Sequence, residues 1–342
     1  MRARGLSLAF VMTLAFGACT PTVTQFPNAS PEPSAVESPT GELRQVRLLL
    51  GFRPDVQFAP FYLAQQDGYY ADAGLEVTIE HAGGGELIRL VADGQAEFGV
   101  ADATDVMIAR TSGIPVTYVS SLFQSFPVAL IGLPGTGPTD PAELASMSIG
   151  TPGRFGSSWH ALLALLDAGG LTEDDVTIRE YPQFNQVEGF LAGDVELITG
   201  FRNNEPIRLA AEGYATSLLT IDEVAPLPGP GVVVGDELLA GDRSLVEAFA
   251  SATAAAQAAV VLEPAAGLAA AATAVPTLWE DMDTARSVLL ATIDLWEGDR
   301  VLPIGGIDPL LWESGFAIMV GLGFIDGSVA PDKMYWPAIR FD

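Results

Sequence analysis

The chain has 342 residues and a formal net charge of −27, because 43 aspartates and glutamates outnumber 16 lysines and arginines. A protein this acidic repels phosphate backbones, which excludes nucleic acid as a partner. Cys19 is the single cysteine, and His81 and His160 are the two histidines. A disulfide is therefore excluded, and histidine-based metal sites and Ser-His-Asp hydrolysis are poorly supplied.

The first 19 residues have the pattern of an export signal. Arg2 and Arg4 precede an uncharged apolar run at residues 6–16, which is too short to span a bilayer because about 20 apolar residues are needed. Two small residues then stand directly before Cys19. The segment resembles a bacterial lipoprotein signal, which implies cleavage before Cys19 and a lipid anchor on its sulfur that holds the mature protein to the cell membrane, outside the cytoplasm. The alternative is an ordinary secretory signal with an incidental cysteine.

The rest of the chain divides into a linker and a large folded part. Residues 20–43 are rich in proline, serine and threonine without hydrophobic periodicity, which predicts a disordered linker. The remaining length exceeds a typical single core, so two lobes are expected. We predict the first part of lobe 1 at residues 44–130, lobe 2 at 131–231, and a return to lobe 1 with the C-terminal helices at 232–342.

Strand and helix patterns alternate through the folded part, which predicts an α/β fold with a mainly parallel sheet flanked by helices in each lobe. The predicted strands are residues 46–50, 75–79, 97–100, 116–120, 148–150, 176–178, 197–199 and 232–234. The predicted helices are residues 59–73, 86–93, 104–111, 157–168, 186–192, 204–212, 244–274 and 282–297. Strand-like crossings near residues 130 and 232 would join the lobes and leave a cleft between them.

Residues 51–119 carry the most specific motifs of the chain. They contain Gly-Tyr-Tyr-x-x-x-Gly-Leu-x-Val at residues 68–77, a glycine triplet at 83–85 and Ala-Asp-x-Gln-x-Glu-Phe-Gly-Val at 92–100. This region resembles solute-binding proteins of ABC importers, and more narrowly the family that includes thiamine-pyrimidine, riboflavin, alkanesulfonate and nitrate binders. Weaker similarity extends the resemblance over most of residues 46–325.

The resemblance implies a two-lobed type II periplasmic-binding fold whose lobes close on a small-molecule ligand. It also implies an ABC permease and its ATPase subunit as partners, with ATP hydrolysed on the separate subunit. We expect a monomer that is not an enzyme, with no catalytic residue, metal or cofactor.

Candidate ligand contacts come from loops that follow predicted strands, because such loops border the ligand crevice of an open α/β sheet. Aromatic residues there would form flat walls for a planar ring, and polar residues would select its substituents. The candidates in lobe 1 are Arg53, Asp55, Gln57, Phe58, Tyr62, Asp102, Thr104, Phe123 and Gln124. The candidates in lobe 2 are Thr151, Phe155, Ser157, Trp159, Phe184, Phe201, Asn203 and Glu205.

The start of the predicted helix at residues 157–168 allows two interpretations. Its free N–H groups, with Arg154 beside them, could attract an anion or a carbonyl oxygen. Alternatively, Ser157 is only an N-cap and Arg154 is a surface residue.

Aromatic and amide side chains dominate the candidate loops. This composition favours a heteroaromatic vitamin or precursor, riboflavin first and thiamine pyrimidine next. One alternative is an alkanesulfonate or nitrate binder, which would need dedicated N–H, hydroxyl and arginine donors. Another is a lipoprotein that senses its ligand and signals to a receptor. A pyrimidine-synthase-like enzyme is least favoured, because the eukaryotic enzymes of the resembled fold family carry a cysteine cluster that this sequence lacks.

Overall fold

Ten strands form two five-stranded sheets in the computed structural model, which describes residues 42–82, 84–222, 224–298 and 302–339. The strands are β1 (Arg44–Leu50), β2 (Leu75–His81), β3 (Phe98–Ala101), β4 (Val116–Ser121), β5 (Val128–Gly132), β6 (Ser148–Thr151), β7 (Thr177–Glu180), β8 (Leu197–Phe201), β9 (Ser217–Thr220) and β10 (Gly231–Gly235). The signal peptide, Cys19, residues 20–41 of the predicted linker and Gly83 lie outside the described residues.

The two sheets have matching strand orders, β2-β1-β3-β10-β4 in the first lobe and β7-β6-β8-β5-β9 in the second. In each sheet one strand is antiparallel to both of its neighbours: β10 in the first and β5 in the second. These two strands follow the crossings between lobes. Since a crossing chain enters each sheet from the edge where the parallel strands end, it must run back against them. The prediction of two lobes with mainly parallel sheets is confirmed.

The predicted lobe boundaries cut through the crossing strands. The boundary at 130/131 falls inside β5, although all of β5 pairs within the second sheet. The boundary at 231/232 falls inside β10, which pairs only with first-sheet strands among the described residues. The chain therefore crosses between Ser121 and Val128 and again between Thr220 and Gly231.

Twelve α-helices cover the sheets in the described part of the chain. They are α1 (Ala59–Gln66), α2 (Tyr69–Asp72), α3 (Gly84–Ala92), α4 (Ala103–Thr111), α5 (Gly156–Ala168), α6 (Gln186–Leu191), α7 (Glu205–Ala211), α8 (Asp236–Gly241), α9 (Arg243–Leu262), α10 (Pro264–Ala274), α11 (Met282–Glu297) and α12 (Pro309–Gly321). Strand β9 and helices α8 and α12 were not predicted.

Two predicted helices are each divided in the structure. The helix expected at residues 59–73 breaks at Gly68, whose φ of 82° lies in the left-handed region. The helix expected at residues 244–274 breaks before Pro264, which begins α10 and has no backbone N–H to continue α9. Gly74 also has a left-handed φ, 78°, between α2 and β2, as expected for a glycine after a helix.

Both faces of the first sheet are buried. Val232 and Val234 of β10 face a core formed with α1, α9, α10 and α11, whereas Val233 faces the opposite core with α3, α4 and α12. Helix α9 is long and apolar enough to cross a membrane by length and composition. Its Phe249 is fully buried and stacks on Phe98 at 3.9 Å, so the apolar character of α9 is that of a core helix.

Helix α12 contacts both lobes. Trp312 and Met319 are buried in the core of the first lobe, whereas Ile318 and Leu322 pack against the core of the second. The predicted assignment of the C-terminal helices to lobe 1 is therefore incomplete. Helix α12 lies across the junction of the lobes, beside the crossing segment that contains Pro228.

Candidate ligand-binding site

A cavity lies between the two sheets, where the parallel strands of both lobes end. The loops after β1, β3 and β4 form its wall on one side, and the loops after β6, β7 and β8 form it on the other. The cavity volume open to water is about 140 Å³. This is the crevice position in which open α/β sheets bind ligands.

Nine of the seventeen predicted contacts line this cavity, and both lobes contribute. They are Gln57, Phe58, Asp102, Phe123, Phe155, Ser157, Phe184, Phe201 and Glu205.

The other eight predicted contacts are not on the cavity wall. They are Arg53, Asp55, Tyr62, Thr104, Gln124, Thr151, Trp159 and Asn203. Several of them hold the surrounding structure instead. The Nε2 of Gln124 donates to the carbonyl of Gly306 at 3.1 Å, and Trp159 is buried beneath the Arg154 guanidinium at 4.6 Å. Thr104 and Thr151 are fully buried.

Sequence reasoning missed four polar residues of the wall: Asp105, Ser158, Gln186 and Asn204. Asp105 is three residues after Asp102 at the start of α4, and this spacing places two side chains on one face of a helix. That signal was available in the sequence. Asn204 lies in the loop after β8, between the predicted contacts Phe201 and Glu205, so its position also pointed to the cavity. Gln186 is the first residue of α6.

The loop after β1 is fixed by Tyr62 and His81. His81 Nδ1 lies 2.7 Å from the carbonyl oxygen of Phe52, and His81 Nε2 lies 3.0 Å from the Tyr62 hydroxyl. Because a carbonyl only accepts, Nδ1 carries the proton and Nε2 accepts from Tyr62. Burial lowers the pKa of His81, so this neutral imidazole positions Phe52 at the cavity.

Aromatic rings from both lobes meet at the cavity mouth. The ring of Phe52 in the first lobe contacts that of Phe184 in the second, edge to face, at 5.5 Å between centroids. Phe155 packs against Phe184 at 6.5 Å. Phe155 remains 44% exposed and Phe184 37% exposed, so their faces are available to a planar ring.

Two glutamines of the cavity wall carry buried acceptors that are unpaired. Gln57 and Gln186 are only 5% and 3% exposed, and the Oε1 atom of each has no hydrogen-bond partner among the described residues. The Nε2 of Gln186 is directed at the carbonyl of Thr199, 3.4 Å away, which leaves its Oε1 free. Buried polar atoms are normally satisfied, so these two acceptors are suited to N–H or O–H donors of a ligand.

Three carboxylates line the cavity: Asp102, Asp105 and Glu205. Asp102 Oδ2 accepts a hydrogen bond at 2.9 Å from the backbone N–H of Ser157, at the start of α5. Burial raises the pKa of Asp102, and burial together with repulsion from Asp102 raises the pKa of Asp105 to about 8. Burial also raises the pKa of Glu205, whose side chain accepts from the N–H of Phe201 at 2.7 Å.

Comparison with known proteins identifies the family. A family model described as NMT1/THI5 like matches residues 55–266. The riboflavin-binding protein RibY of Chloroflexus aurantiacus is 30% identical over 335 residues, which cover 96% of this chain and 95% of that protein. The chain belongs to the NMT1/THI5-like family. A 4-amino-5-hydroxymethyl-2-methylpyrimidine phosphate synthase of Legionella pneumophila is 28% identical over 184 residues, 54% of this chain and 57% of that enzyme.

Solved structures share the fold of this NMT1/THI5-like protein. The alkanesulfonate-binding protein SsuA of Xanthomonas axonopodis pv. citri, bound to MOPS, superposes with a TM-score of 0.68 over 87% of this chain and 99% of that one, at 17% identity. The aliphatic sulphonate binding protein SsuA of Escherichia coli gives 0.68 over 87% and 94%, at 13% identity. The predicted family and the periplasmic-binding fold are confirmed.

The lobes of this family member are in direct polar contact around the cavity. Asn203 Nδ2 in the second lobe donates to Thr292 Oγ1 on α11 at 2.8 Å, and His160 Nδ1 on α5 lies 2.8 Å from Thr104 Oγ1 on α4. Burial lowers the pKa of His160 to about 4, so the imidazole is neutral at physiological pH. Asn203 and Thr104, both predicted as ligand contacts, therefore connect the lobes instead.

Proposed function

We propose that this protein is the extracytoplasmic solute-binding component of an ABC importer and that it captures riboflavin in the cavity between its lobes. The observation that carries the proposal is the composition of the wall, which combines aromatic rings from both lobes with two glutamines whose buried Oε1 atoms are unpaired. RibY, similar along nearly the whole chain, is a riboflavin-binding protein. The known solute-binding proteins of this fold support the same class of function.

The chemistry of riboflavin matches the two kinds of wall. Its three-ring system is flat and apolar on both faces, which suits contacts with Phe58, Phe155 and Phe184. The edge of the ring system carries an imide N–H, and the ribityl chain carries hydroxyl donors. The Oε1 atoms of Gln57 and Gln186 can accept from such groups.

Delivery and anchoring belong to the same proposal. The lobes would open for ligand to enter, close on it, and dock as a monomer on a permease whose ATPase is a separate subunit. Lipid on Cys19 would hold the protein at the outer face of the cell membrane. A receptor in place of the permease would make the protein a sensor, and a permease gene beside this one would argue against that alternative.

The test is a titration of residues 20–342, which lack the signal and the lipidated cysteine, with riboflavin followed by quenching of flavin fluorescence. Saturable quenching with a one-to-one endpoint is expected. If quenching does not saturate, riboflavin is not the ligand, and a thermal-shift screen then begins with the thiamine pyrimidine. An increase in melting temperature with that compound would identify the second candidate, whose ring is also flat and bears an amino donor.

A further inference from the structure

The N-terminus of α5 is already occupied by the protein itself. Asp102 reaches from the first lobe to accept from the N–H of Ser157 in the second, and the N–H of Gly156 faces the carboxylate of Asp105. Asp102 is also the N-cap residue of α4, and Asp105 lies in the first turn of that helix. The positive ends of two helices therefore converge on these two carboxylates, and the position that usually attracts an external anion is filled.

Positive side chains are missing from the described wall of the cavity, which has three carboxylates: Asp102, Asp105 and Glu205. Among the nearby arginines, the Arg53 guanidinium lies 5.3 Å from the ring centroid of Phe52, and its charge opposes the rise that burial causes in the pKa of Glu205. Three other arginines are paired with carboxylates that are not part of the wall. Arg208 pairs with Asp55 at 2.8 Å, and Arg202 pairs with Asp222 at 2.8 Å. Arg154 pairs with Glu173 and Glu180.

We infer that Asp102 and Asp105 act as a built-in anion that excludes phosphate and sulfonate groups, so that the cavity takes an uncharged, hydrogen-bond-donating heteroaromatic in its unphosphorylated form. This inference rests on the proposed function and deepens it. It assigns Asp102 and Asp105 as specificity-determining residues. An anionic ligand would have to displace them from the α5 N-terminus or accept their repulsion.

Two further observations agree with an uncharged donor as ligand. The free Oε1 atoms of Gln57 and Gln186 are acceptors, which attract N–H and O–H groups and repel the oxygens of a phosphate. Burial raises the pKa of both carboxyls, whereas the hydrogen bond from the N–H of Ser157 opposes that rise at Asp102 and favours the negative charge there. That charge is held by the N–H groups of α5, so it is retained when the site is empty.

The first test compares riboflavin with its phosphate ester, FMN, by fluorescence quenching at neutral pH. We expect the unmodified protein to bind riboflavin at least about tenfold more tightly than FMN. The double variant Asp102→Asn/Asp105→Asn should reduce this preference by at least about threefold. The amide oxygens can still accept from the N–H groups of α5, but the negative charge is gone. Asp140→Asn is the matched control, since Asp140 caps a short helix on an exposed surface and lines no part of the cavity.

A smaller preference in the unmodified protein, or an unchanged preference in the double variant, would overturn the inference. The second test does not depend on flavin binding. Asp102→Ala/Asp105→Ala frees the N–H groups of α5, so inorganic sulfate should raise the melting temperature of this variant more than that of the unmodified protein or of Asp140→Asn. Chloride at equal ionic strength corrects for general salt effects.

These two tests distinguish a failure of the riboflavin proposal from a failure of the inference that Asp102 and Asp105 exclude anions. If neither flavin binds, riboflavin capture fails, and the sulfate comparison still decides whether the carboxylates exclude anions. If sulfate stabilises all three proteins equally, the exclusion is wrong even where riboflavin binds. Should the alanine variant not fold, the sulfate comparison is made with Asp102→Asn/Asp105→Asn. This variant removes the repulsive charge but leaves amide oxygens on the N–H groups of α5, so a smaller increase in the same direction is expected.

Discussion

Arg208 on α7 donates from Nη2 to Oδ2 of Asp55, in the loop after β1, at 2.8 Å, and this ion pair joins the two lobes. The Asp55 side chain is 3% exposed, whereas that of Arg208 is 35% exposed. Asp55 also accepts from the N–H of Val56 at 2.6 Å and from Asn204 Nδ2 at 3.3 Å. Two of its three partners belong to the second lobe, so the carboxylate is fully satisfied only while the lobes are together.

Replacing Arg208 should therefore weaken ligand binding without touching the cavity. Arg208→Gln leaves the Asp55 carboxylate buried without its cation, which destabilises the closed arrangement. We expect the dissociation constant for riboflavin to rise by about tenfold to a hundredfold. Arg179→Gln is the control, because Arg179 pairs with Asp194 at 3.2 Å on an exposed surface. Equal affinities for the two variants would contradict a role of the ion pair in closure.

Gln57→Leu should have opposite effects on stability and on binding. The substitution removes a buried acceptor that has no partner in the described structure, so the ligand-free protein should melt at an equal or higher temperature. Binding of riboflavin should weaken by about tenfold, since one ligand donor loses its acceptor. Thermal melting and fluorescence titration measure the two effects.

The matched control for Gln57 is Gln257→Leu. Gln257 is equally buried, but its Nε2 donates to the carbonyl of Leu122 at 3.0 Å. Its replacement leaves that carbonyl unpaired and should lower the melting temperature. A loss of stability in Gln57→Leu as large as in Gln257→Leu would mean that Gln57 is satisfied in the ligand-free protein.

Phe155→Ala and Phe184→Ala test the aromatic wall at the mouth of the cavity. Both side chains are partly exposed, so their loss should change stability little. Each should weaken riboflavin binding by about tenfold, because a ring contact contributes roughly 1 kcal/mol beyond its buried area. Trp279→Ala removes an exposed aromatic that lines no part of this cavity. If that variant weakens binding equally, the loss is not specific to the wall.

Stability should fall as the pH rises through the range in which Asp105 titrates. Its pKa is raised to about 8 in the folded protein, against about 3.9 in an unfolded chain. Between these values the folded state holds a proton that the unfolded state has released, so its stabilising contribution is complete below about pH 4 and is lost as the pH approaches 8. Asp102, His160 and the N–H of Gly156 face this carboxyl.

Melting temperatures of the unmodified protein and of Asp105→Asn, measured from pH 5.5 to 8.5, check this expectation. The unmodified protein should lose stability relative to the variant as the pH increases. His160 stays neutral across this window because its pKa is lowered to about 4. Parallel curves for the two proteins would mean that Asp105 has an ordinary pKa.

Cys19→Ser tests the lipid anchor. The unmodified protein expressed in its bacterial host should sediment with membranes and carry incorporated radiolabelled fatty acid. The variant should lose the label and leave the membrane fraction, because it has no sulfur to receive lipid. Recovery of the unmodified protein without label would favour the ordinary secretory signal.

The alternation of apolar runs predicted the two sheets because strands covered by helices on both faces are continuously apolar. Leu48, Leu49 and Leu50 are an example, with Leu49 facing one core and its neighbours the other. Helix α12 escaped prediction because it meets both lobes, and its apolar residues lie on several faces without a single stripe. The edge strand β9 has only four residues and no alternation of burial.

The sequence predicted the site residues whose place on the cavity wall follows from their position after a strand. Loops after parallel strands must border the crevice, and this rule led to Phe58, Asp102 and Phe201 on the cavity wall. It also led to Thr104 and Thr151, which are fully buried instead. Whether a residue in such a loop faces ligand, core or the other lobe depends on how the lobes meet, and contacts between distant segments set that arrangement.

The strand order also has a consequence for folding. All five strands of the second sheet lie within the continuous stretch of residues 128–220, whereas β3 and β4 of the first sheet are separated by a gap that only β10 fills. Closing that gap requires contacts across the entire second lobe, and pairings distant in sequence form slowly. We therefore expect the second lobe to form its core first. Once folded, it would hold the two crossing segments in place and so bring β10 to the gap between β3 and β4. The lobe that begins earlier along the chain would be the later one to complete.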